Sequence, residues 1–103
     1  MNKYHNIKTT VDGITFDSKA EARYYSFLKY RQSGGKLFNL RLQVPYVFTI
    51  ECKKNFTYKA DFQYTDQEGK EHVIDVKGVE TPVFRLKKKL IEAQYGIEIE
   101  VVK

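Results

Sequence analysis

The sequence predicts one domain of the α/β class, more narrowly α+β, in which a mixed sheet is flanked by two helices. Its 103 residues amount to about one domain. Hydrophobic residues make up 42% and charged residues 30%, a balance typical of globular chains. Two segments carry helix start and stop signals, and the remaining core segments alternate apolar with polar residues. The predicted order is therefore helix, three strands, helix, strand, within a single domain spanning residues 1–103.

The first helix is predicted to begin after Ser18, which is a good N-cap. Glu21 stands three residues further on, at the spacing of a capping box. The run Ser33-Gly34-Gly35 ends this helix. Before it, residues 1–16 are predicted to form an N-terminal arm or a small hairpin around the turn Val11-Asp12-Gly13. The predicted buried stripe of the helix is Ala20, Tyr24, Phe27, Leu28 and Arg31.

The second helix is predicted between Thr81-Pro82, an N-cap followed by proline at the first helical position, and the stop residue Gly96. Phe84 and Ile91 lie off its main stripe and suggest a dimer surface. Its predicted buried stripe is Val83, Leu86, Leu90 and Ala93. Alternation predicts strands at Leu40–Ile50, Phe56–Tyr64, Glu71–Lys77 and Ile97–Val102.

Composition excludes several classes of protein. No apolar run approaches the ~20 residues of a membrane span, so we expect no membrane partner. The single cysteine, Cys52, excludes an internal disulfide framework and a zinc site made only of cysteines. The opening residues, Met1–Thr10, are polar and basic and show no secretory pattern, so we expect a cytoplasmic protein.

The charge balance favours a polyanionic partner. Eighteen lysine and arginine residues stand against 13 acids, giving a net charge of +5 and a pI near 9.3. A solvated basic face is the plainer interpretation, whereas DNA phosphates would use the same side chains in salt-sensitive binding. The residues expected to contact DNA are Lys3, Lys8, Lys36, Arg85, Lys88 and Lys89.

The second and third strands carry the candidate chemistry. If Gln67-Glu68-Gly69 is a three-residue hairpin loop with Gly69 left-handed, Phe62 faces Ile74. The same register sets Asp61 directly opposite Asp75 on the other side of the sheet. Tyr58, Ala60, Phe62 and Tyr64 then form one apolar face.

Facing carboxylates, with Cβ atoms about 4.5–5.5 Å apart, repel each other. A raised pKa on one acid or a bound Mg²⁺ would offset the repulsion. Lys77, two residues beyond Asp75, points to the same side and could hold a phosphate. Taken singly, Asp61 could be a solvated strand residue, Asp75 and Lys77 a surface ion pair, and Glu21 only a helix cap.

The segments Tyr58–Phe62 and Val73–Gly78 resemble the bipartite D…(D/E)-x-K signature of the PD-(D/E)XK nuclease superfamily. More narrowly, the chain is similar to a family of small phage-encoded proteins within it, through Thr9–Ala22, Tyr58–Asp61, Asp75–Gly78 and Val83–Lys89. Ala60 replaces the proline of the motif, and the second acid is aspartate, which the signature allows.

This resemblance implies a restriction-endonuclease-like core. It implies Asp61 and Asp75 as metal ligands and Lys77 as the residue that orients water and stabilises phosphate charge. Glu21 would match the first-helix acid of junction-resolving members and complete the metal site. The catalytic set is then Glu21, Asp61, Asp75 and Lys77, with Mg²⁺ or Mn²⁺ as the cofactor.

The function expected from these features is that of a phage-type, metal-dependent DNA endonuclease. Branched DNA such as Holliday junctions is the favoured substrate, and symmetrical cutting of two strands requires a homodimer. One alternative is a non-catalytic DNA-binding module that retains the nuclease fold. Another is a phage protein that binds a host protein through its basic face.

Overall fold

The computed structural model describes residues 7–103, and the predicted phosphate contact Lys3 lies outside them. The described residues form an α+β structure with two helices and a mixed sheet, which confirms the predicted class. No helix within residues 7–103 has the length and apolarity needed to cross a membrane. In chain order the elements are β1 (Thr9–Val11), β2 (Ile14–Phe16), α1 (Lys19–Ser33), β3 (Leu37–Ile50), β4 (Lys53–Asp66), β5 (Glu71–Val76), α2 (Pro82–Tyr95) and β6 (Ile99–Val102).

The main sheet has the strand order β3-β4-β5-β6. Strands β3, β4 and β5 are antiparallel, whereas β6 runs parallel to β5. The predicted register of the β4–β5 hairpin is confirmed, with Phe62 opposite Ile74. Gly69 has the expected left-handed backbone, with φ at 85°. The Asp66 carboxylate accepts the backbone amides of Glu68 and Lys70 at 2.8 and 2.9 Å, which fixes the turn.

Helices α1 and α2 pack on opposite faces of this sheet. Ile74 belongs to a core cluster with α1, whereas the preceding residue Val73 belongs to a second cluster with Ile91 of α2. Successive residues of a strand point to opposite faces, so the two helices lie on opposite sides. The buried members of the α1 cluster are Phe16, Ala22, Tyr25, Leu28, Leu37, Phe62 and Ile74. Those of the α2 cluster are Tyr58, Ala60, Val73, Ile91 and Ile99.

Near Asp61, alternate side chains of β3 and β4 switch between the α2 side and the α1 side of the sheet. Phe62 packs in the α1 cluster, but Ala60, two residues earlier, packs in the α2 cluster. The predicted single apolar face from Tyr58 to Tyr64 is therefore wrong. Gln43, which lies across from Asp61 in β3, has a left-handed φ of 51°, so the change of face coincides with an irregular residue.

Helix α1 begins and ends as predicted, but only part of the predicted stripe is buried. The Ser18 hydroxyl accepts the Glu21 amide at 3.1 Å, which confirms the N-cap. Tyr25 and Leu28 are buried, whereas Phe27 of the predicted stripe is 50% exposed. Aromatic residues lie on both sides of this helix, so periodicity alone does not select the buried side.

Helix α2 likewise has the predicted caps and a different buried face. Thr81 accepts the Phe84 amide at 3.1 Å, and Gly96 is left-handed with φ at 64°. Val83 and Leu86 are 62% and 58% exposed. Ile91 is fully buried, and Phe84 packs against the same cluster. The predicted dimer surface through Phe84 and Ile91 is therefore wrong, because both residues belong to the core.

A histidine ties the β4–β5 turn to β6. The His72 Nε2 atom lies 2.8 Å from Asp66, and its Nδ1 atom lies 2.6 Å from Glu100. Burial alone would lower the pKa of His72, but the two carboxylates outweigh burial and raise it above its ordinary value. The ring also stacks on Tyr64, with 4.9 Å between centroids. His72 is thus a packed, ion-paired residue.

Candidate active site

A cleft of about 630 Å³ lies between the start of α1 and the segment that follows β5. Three of the four predicted catalytic side chains, Glu21, Asp61 and Lys77, line it. They come from three different elements: the first turn of α1, the middle of β4 and the end of β5. Lys19 and Lys103, which the sequence analysis did not select, also line the cleft and add positive charge.

Glu21 caps its helix and also faces the cleft. It is only 9% exposed, and its Oε2 accepts the backbone amide of Asp17 at 3.3 Å. Its carboxyl group is close enough to Asp61 for a hydrogen bond between the two acids. The capping role and a role beside Asp61 are therefore compatible in one side chain.

Asp61 is a carboxyl group held in an environment that disfavours its charge. Burial, followed by the hydrogen bond with Glu21, raises its pKa from 3.8 to about 7. The Val76 amide, which donates to Oδ2 at 2.8 Å, and the charge of Lys77 act in the opposite direction. A cation bound beside Asp61 and Glu21 would favour the charged form of the Asp61 carboxyl group.

Asp61 and Asp75 do not form the directly opposed strand pair that the sequence predicted. The β4–β5 ladder stops at Phe62 and Ile74, one step before these acids. The next amide of β5, that of Val76, bonds to the Asp61 carboxylate instead of to the β4 backbone. The Asp61 carboxylate thus takes the place of a backbone carbonyl of β4 as the acceptor of the Val76 amide. Backbone pairing between β4 and β5 therefore ends at the cleft.

Asp75 lies behind the cleft in the core. It is 2% exposed, and its Oδ2 accepts the Tyr58 hydroxyl at 2.5 Å. Its buried Oδ1 has no hydrogen-bond partner among residues 7–103 and lies 3.5 Å from the Lys77 Nζ. Burial is the main cause that raises the pKa of Asp75, and the charge of Asp61 adds to it.

Lys77 connects the cleft to Asp75. Its ammonium group faces the cleft, pairs with the Asp75 carboxylate and lies 4.8 Å from the centroid of the Phe84 ring. Tyr58 and Phe84 thus support Asp75 and Lys77 from the α2 side of the sheet. Neither role was predictable from the sequence, because alternation places Tyr58 on the other face of β4 and periodicity places Phe84 off the main stripe of α2.

The carboxylates only partly satisfy the requirements of a metal site. No three His, Cys, Asp or Glu side chains within residues 7–103 converge as a ready group of metal ligands. Mg²⁺, however, is typically held by one or two carboxylates together with substrate phosphate and water. Glu21 and Asp61 fit that donor set, and the unbonded Oδ1 of Asp75 is a further carboxylate oxygen without a donor.

The predicted phosphate contacts separate into near and distant residues. Lys8 follows Ile7, which lines the cleft, and the backbone amide of Arg85 bonds to Thr81, another lining residue. Lys36 lies beyond the far end of the 15-residue α1, roughly 20 Å from its start. Lys8, Lys36, Arg85 and Lys89 are exposed, whereas Lys88 pairs with Glu92 at 3.1 Å.

A family model described as a protein of unknown function, DUF1064, matches residues 1–102 of the chain. The chain belongs to this family. No curated protein and no solved structure matches it. The function of the DUF1064 family is unknown, so only the side chains of the cleft indicate what this protein does.

Proposed function

We propose that this DUF1064 protein is a DNA endonuclease that depends on Mg²⁺ or Mn²⁺ and hydrolyses phosphodiester bonds in this cleft. One observation carries the proposal: the carboxyl groups of Glu21 and Asp61 are neighbours in a cleft that Lys77 also lines. An acid pair suits a divalent cation, and an ammonium group suits a phosphate. The net charge of +5 attracts a polyanion such as DNA to the protein that carries these groups.

The acid pair would hold the cation. A carboxyl pKa raised by burial and by a second acid is the expected state of such a pair without a cation. Glu21 and Asp61 would be the ligands, whereas Asp75, which does not line the cleft, would hold Lys77. When bound, the cation supplies Lewis acidity towards a phosphoryl oxygen and towards water.

Lys77 would hold the scissile phosphate. The Asp75 carboxylate, itself fixed by the Tyr58 hydroxyl, restrains the ammonium group at the edge of the cleft. A restrained cation contacts phosphate oxygens without first losing conformational freedom. It also stabilises the negative charge that develops on those oxygens during in-line attack.

The fold proposal is a restriction-endonuclease-like core of the PD-(D/E)XK superfamily. Three observations support it: the order of elements from α1 onward, the mixed four-stranded sheet, and the helices on its two faces. Of the signature residues, Asp61 lies in the middle of β4, and Asp75 and Lys77 lie at and just beyond the end of the adjacent strand β5. Ala60, in the position of the motif's proline, is fully buried in the α2 cluster.

We further propose branched DNA as the substrate and a homodimer as the active form, acting for a phage in the host cytoplasm. Symmetrical cleavage of a junction needs two active sites related by a two-fold axis. Val79, Val83 and Leu86 are between 58% and 62% exposed and form an apolar surface at the start of α2. This surface replaces the earlier candidates Phe84 and Ile91 as the dimer contact.

Cleavage assays test the proposal directly. Branched, nicked and linear DNA are incubated with Mg²⁺, with Mn²⁺ or with a chelator, using wild-type protein and the variants Asp61→Asn and Lys77→Gln. Cleavage by the wild type that requires metal and is lost in both variants is the expected result. Glu68→Gln, a charge-matched change in the exposed β4–β5 turn, serves as the control and should cut normally.

The alternative function, DNA binding without catalysis, predicts a different result in the same assay. A non-catalytic DNA-binding module would bind the same DNA in the chelator and cut none of it with either metal. Wild-type protein that behaves in this way would overturn the endonuclease proposal.

A further inference from the structure

A second, smaller cleft of about 250 Å³ adjoins the candidate active site. The two clefts share Ala20, Val76 and Lys103 as lining residues, so they form one continuous depression along α1. The small cleft adds one basic, two aromatic and one aliphatic residue: Arg23, Tyr24, Phe27 and Val102.

The aromatic part of this small cleft is a fixed platform rather than a loose surface side chain. Phe27 is 50% exposed, although it is large and apolar. Its ring lies 5.8 Å from that of Tyr24, which in turn lies 5.8 Å from the buried ring of Phe62. The Arg31 guanidinium approaches the Phe27 centroid to 5.4 Å from the next turn of the helix. The exposed ring is therefore backed by Tyr24 and the core, with one cation, Arg31, beside it.

The charge around the platform favours an anionic ligand. Arg23 and Arg31 are exposed on the same helix, and Lys103 lies at the junction of the two clefts. Two acids lie near these residues, and both already have partners. Glu100, whose charge helps to raise the pKa of Tyr24 after burial, bonds to His72, and Glu80 pairs with Lys103 at 3.0 Å.

We propose that the small cleft binds one unpaired nucleotide next to the scissile phosphate, with its base stacked on Phe27 and its phosphates held by Arg23 and Lys103. The inference rests on the proposed endonuclease function and specifies its substrate as DNA with an unpaired base beside the cut. An aromatic face lined by cations is the usual platform for single-stranded nucleic acid, since every base has a π-face to stack. A paired base in a duplex has no free face to offer at this position.

Fluorescence of 2-aminopurine tests the stacking. The probe is placed as the unpaired nucleotide beside the branch point of a flap substrate, and binding is measured in chelator so that nothing is cut. Wild-type protein should change the fluorescence of the probe on binding. Phe27→Ala should abolish this change and weaken flap binding by about tenfold or more, the effect of losing one base–aromatic stack. Binding to fully paired duplex should be unaltered.

Two further variants separate stacking from a general effect on the helix. Phe27→Tyr keeps the ring and should restore both the fluorescence change and the affinity. Tyr30→Ala removes another exposed aromatic ring, 80% exposed on the same helix but outside the small cleft, and should change neither. Equal losses on flap and duplex, or no loss in Phe27→Ala, would overturn the inference. A change in oligomeric state in Phe27→Ala with DNA binding intact would assign the platform to self-association instead.

The same proteins distinguish this failure from failure of the proposed function. If wild type and Phe27→Ala cut flap and nicked DNA equally well with Mg²⁺, the endonuclease proposal stands and the proposed stacking of a base on Phe27 is wrong. If the probe stacks on wild-type protein but neither Mg²⁺ nor Mn²⁺ gives cleavage, the platform stands as a binding site and the endonuclease proposal is wrong. If no DNA binds, both are wrong.

Discussion

Replacing Asp61 with asparagine should stabilise the metal-free protein at alkaline pH. The pKa of Asp61 is raised from 3.8 to about 7, a difference of about 3. At about 1.4 kcal/mol for each pKa unit, its ionisation costs the folded state up to about 4 kcal/mol at pH 8. An asparagine oxygen can still accept the Val76 amide, and its NH₂ group can donate to Glu21. We expect Asp61→Asn to remove about half of this ionisation cost and so to raise the free energy of unfolding by about 2 kcal/mol. For a domain of this size, that gain corresponds to an increase of about 10 °C in Tm.

The stabilisation by Asp61→Asn should increase as the pH rises. An acid whose pKa is raised by folding keeps its proton in the folded state between pH 3.8 and about 7, where the unfolded chain has already released it. Wild-type stability therefore falls across this window as the pH rises. At pH 5 only the lower part of this window has been crossed, so Asp61→Asn should raise the Tm by less than half as much as at pH 8. At pH 8 the full gain should appear.

The assay is thermal unfolding in chelator at pH 5 and pH 8, followed by circular dichroism. Glu68→Gln removes an exposed carboxylate of the turn and controls for the change in net charge. Excess Mg²⁺ at pH 8 should then raise the Tm of the wild type more than that of Asp61→Asn, because the variant lacks a ligand. The same Tm gain at both pH values, or none at either, would show that Asp61 is not held beside Glu21 as described.

Three other predictions concern neighbouring parts of the structure. Tyr58→Phe removes the hydroxyl that donates to the Asp75 Oδ2 and should lower the free energy of unfolding by about 1–3 kcal/mol in urea titrations. The raised pKa of His72 should add stability that is full below its ordinary pKa of 6.5 and is lost as the pH rises through the raised value, so His72→Gln should flatten this part of the Tm–pH profile. Val83→Asp, at a position 62% exposed, should convert dimers to monomers in size-exclusion chromatography while leaving the monomer folded.

The parts of the fold that depend on local signals were predictable. Capping residues gave the starts of both helices, because a side-chain acceptor at the N-cap is a local requirement. Gly69 gave the hairpin register, because that turn needs a left-handed residue. The register and the capping residue Glu21 together identified three side chains that do line one cleft.

The parts that depend on tertiary packing were not predictable. Both helices carry two candidate apolar stripes, and the choice between them is made by contacts with the sheet. In α2, Ile91 and Phe84 pack in the core, whereas Val83 and Leu86 remain exposed. The change of face in β4 occurs across from Gln43, and no pattern in the sequence favours the left-handed backbone of that glutamine.

The break in the sheet is what makes the candidate site chemically useful. A continuous ladder would hold Asp61 and Asp75 opposite each other, as two acids in mutual repulsion. Because the ladder ends at Phe62, Asp61 bonds to the Val76 amide and joins Glu21, while Asp75 stays behind with Lys77. The result is one acid pair and one acid–lysine pair side by side. The first can accept a divalent cation and the second can present an ammonium group, and a phosphodiester with its bound cation needs both kinds of partner at once.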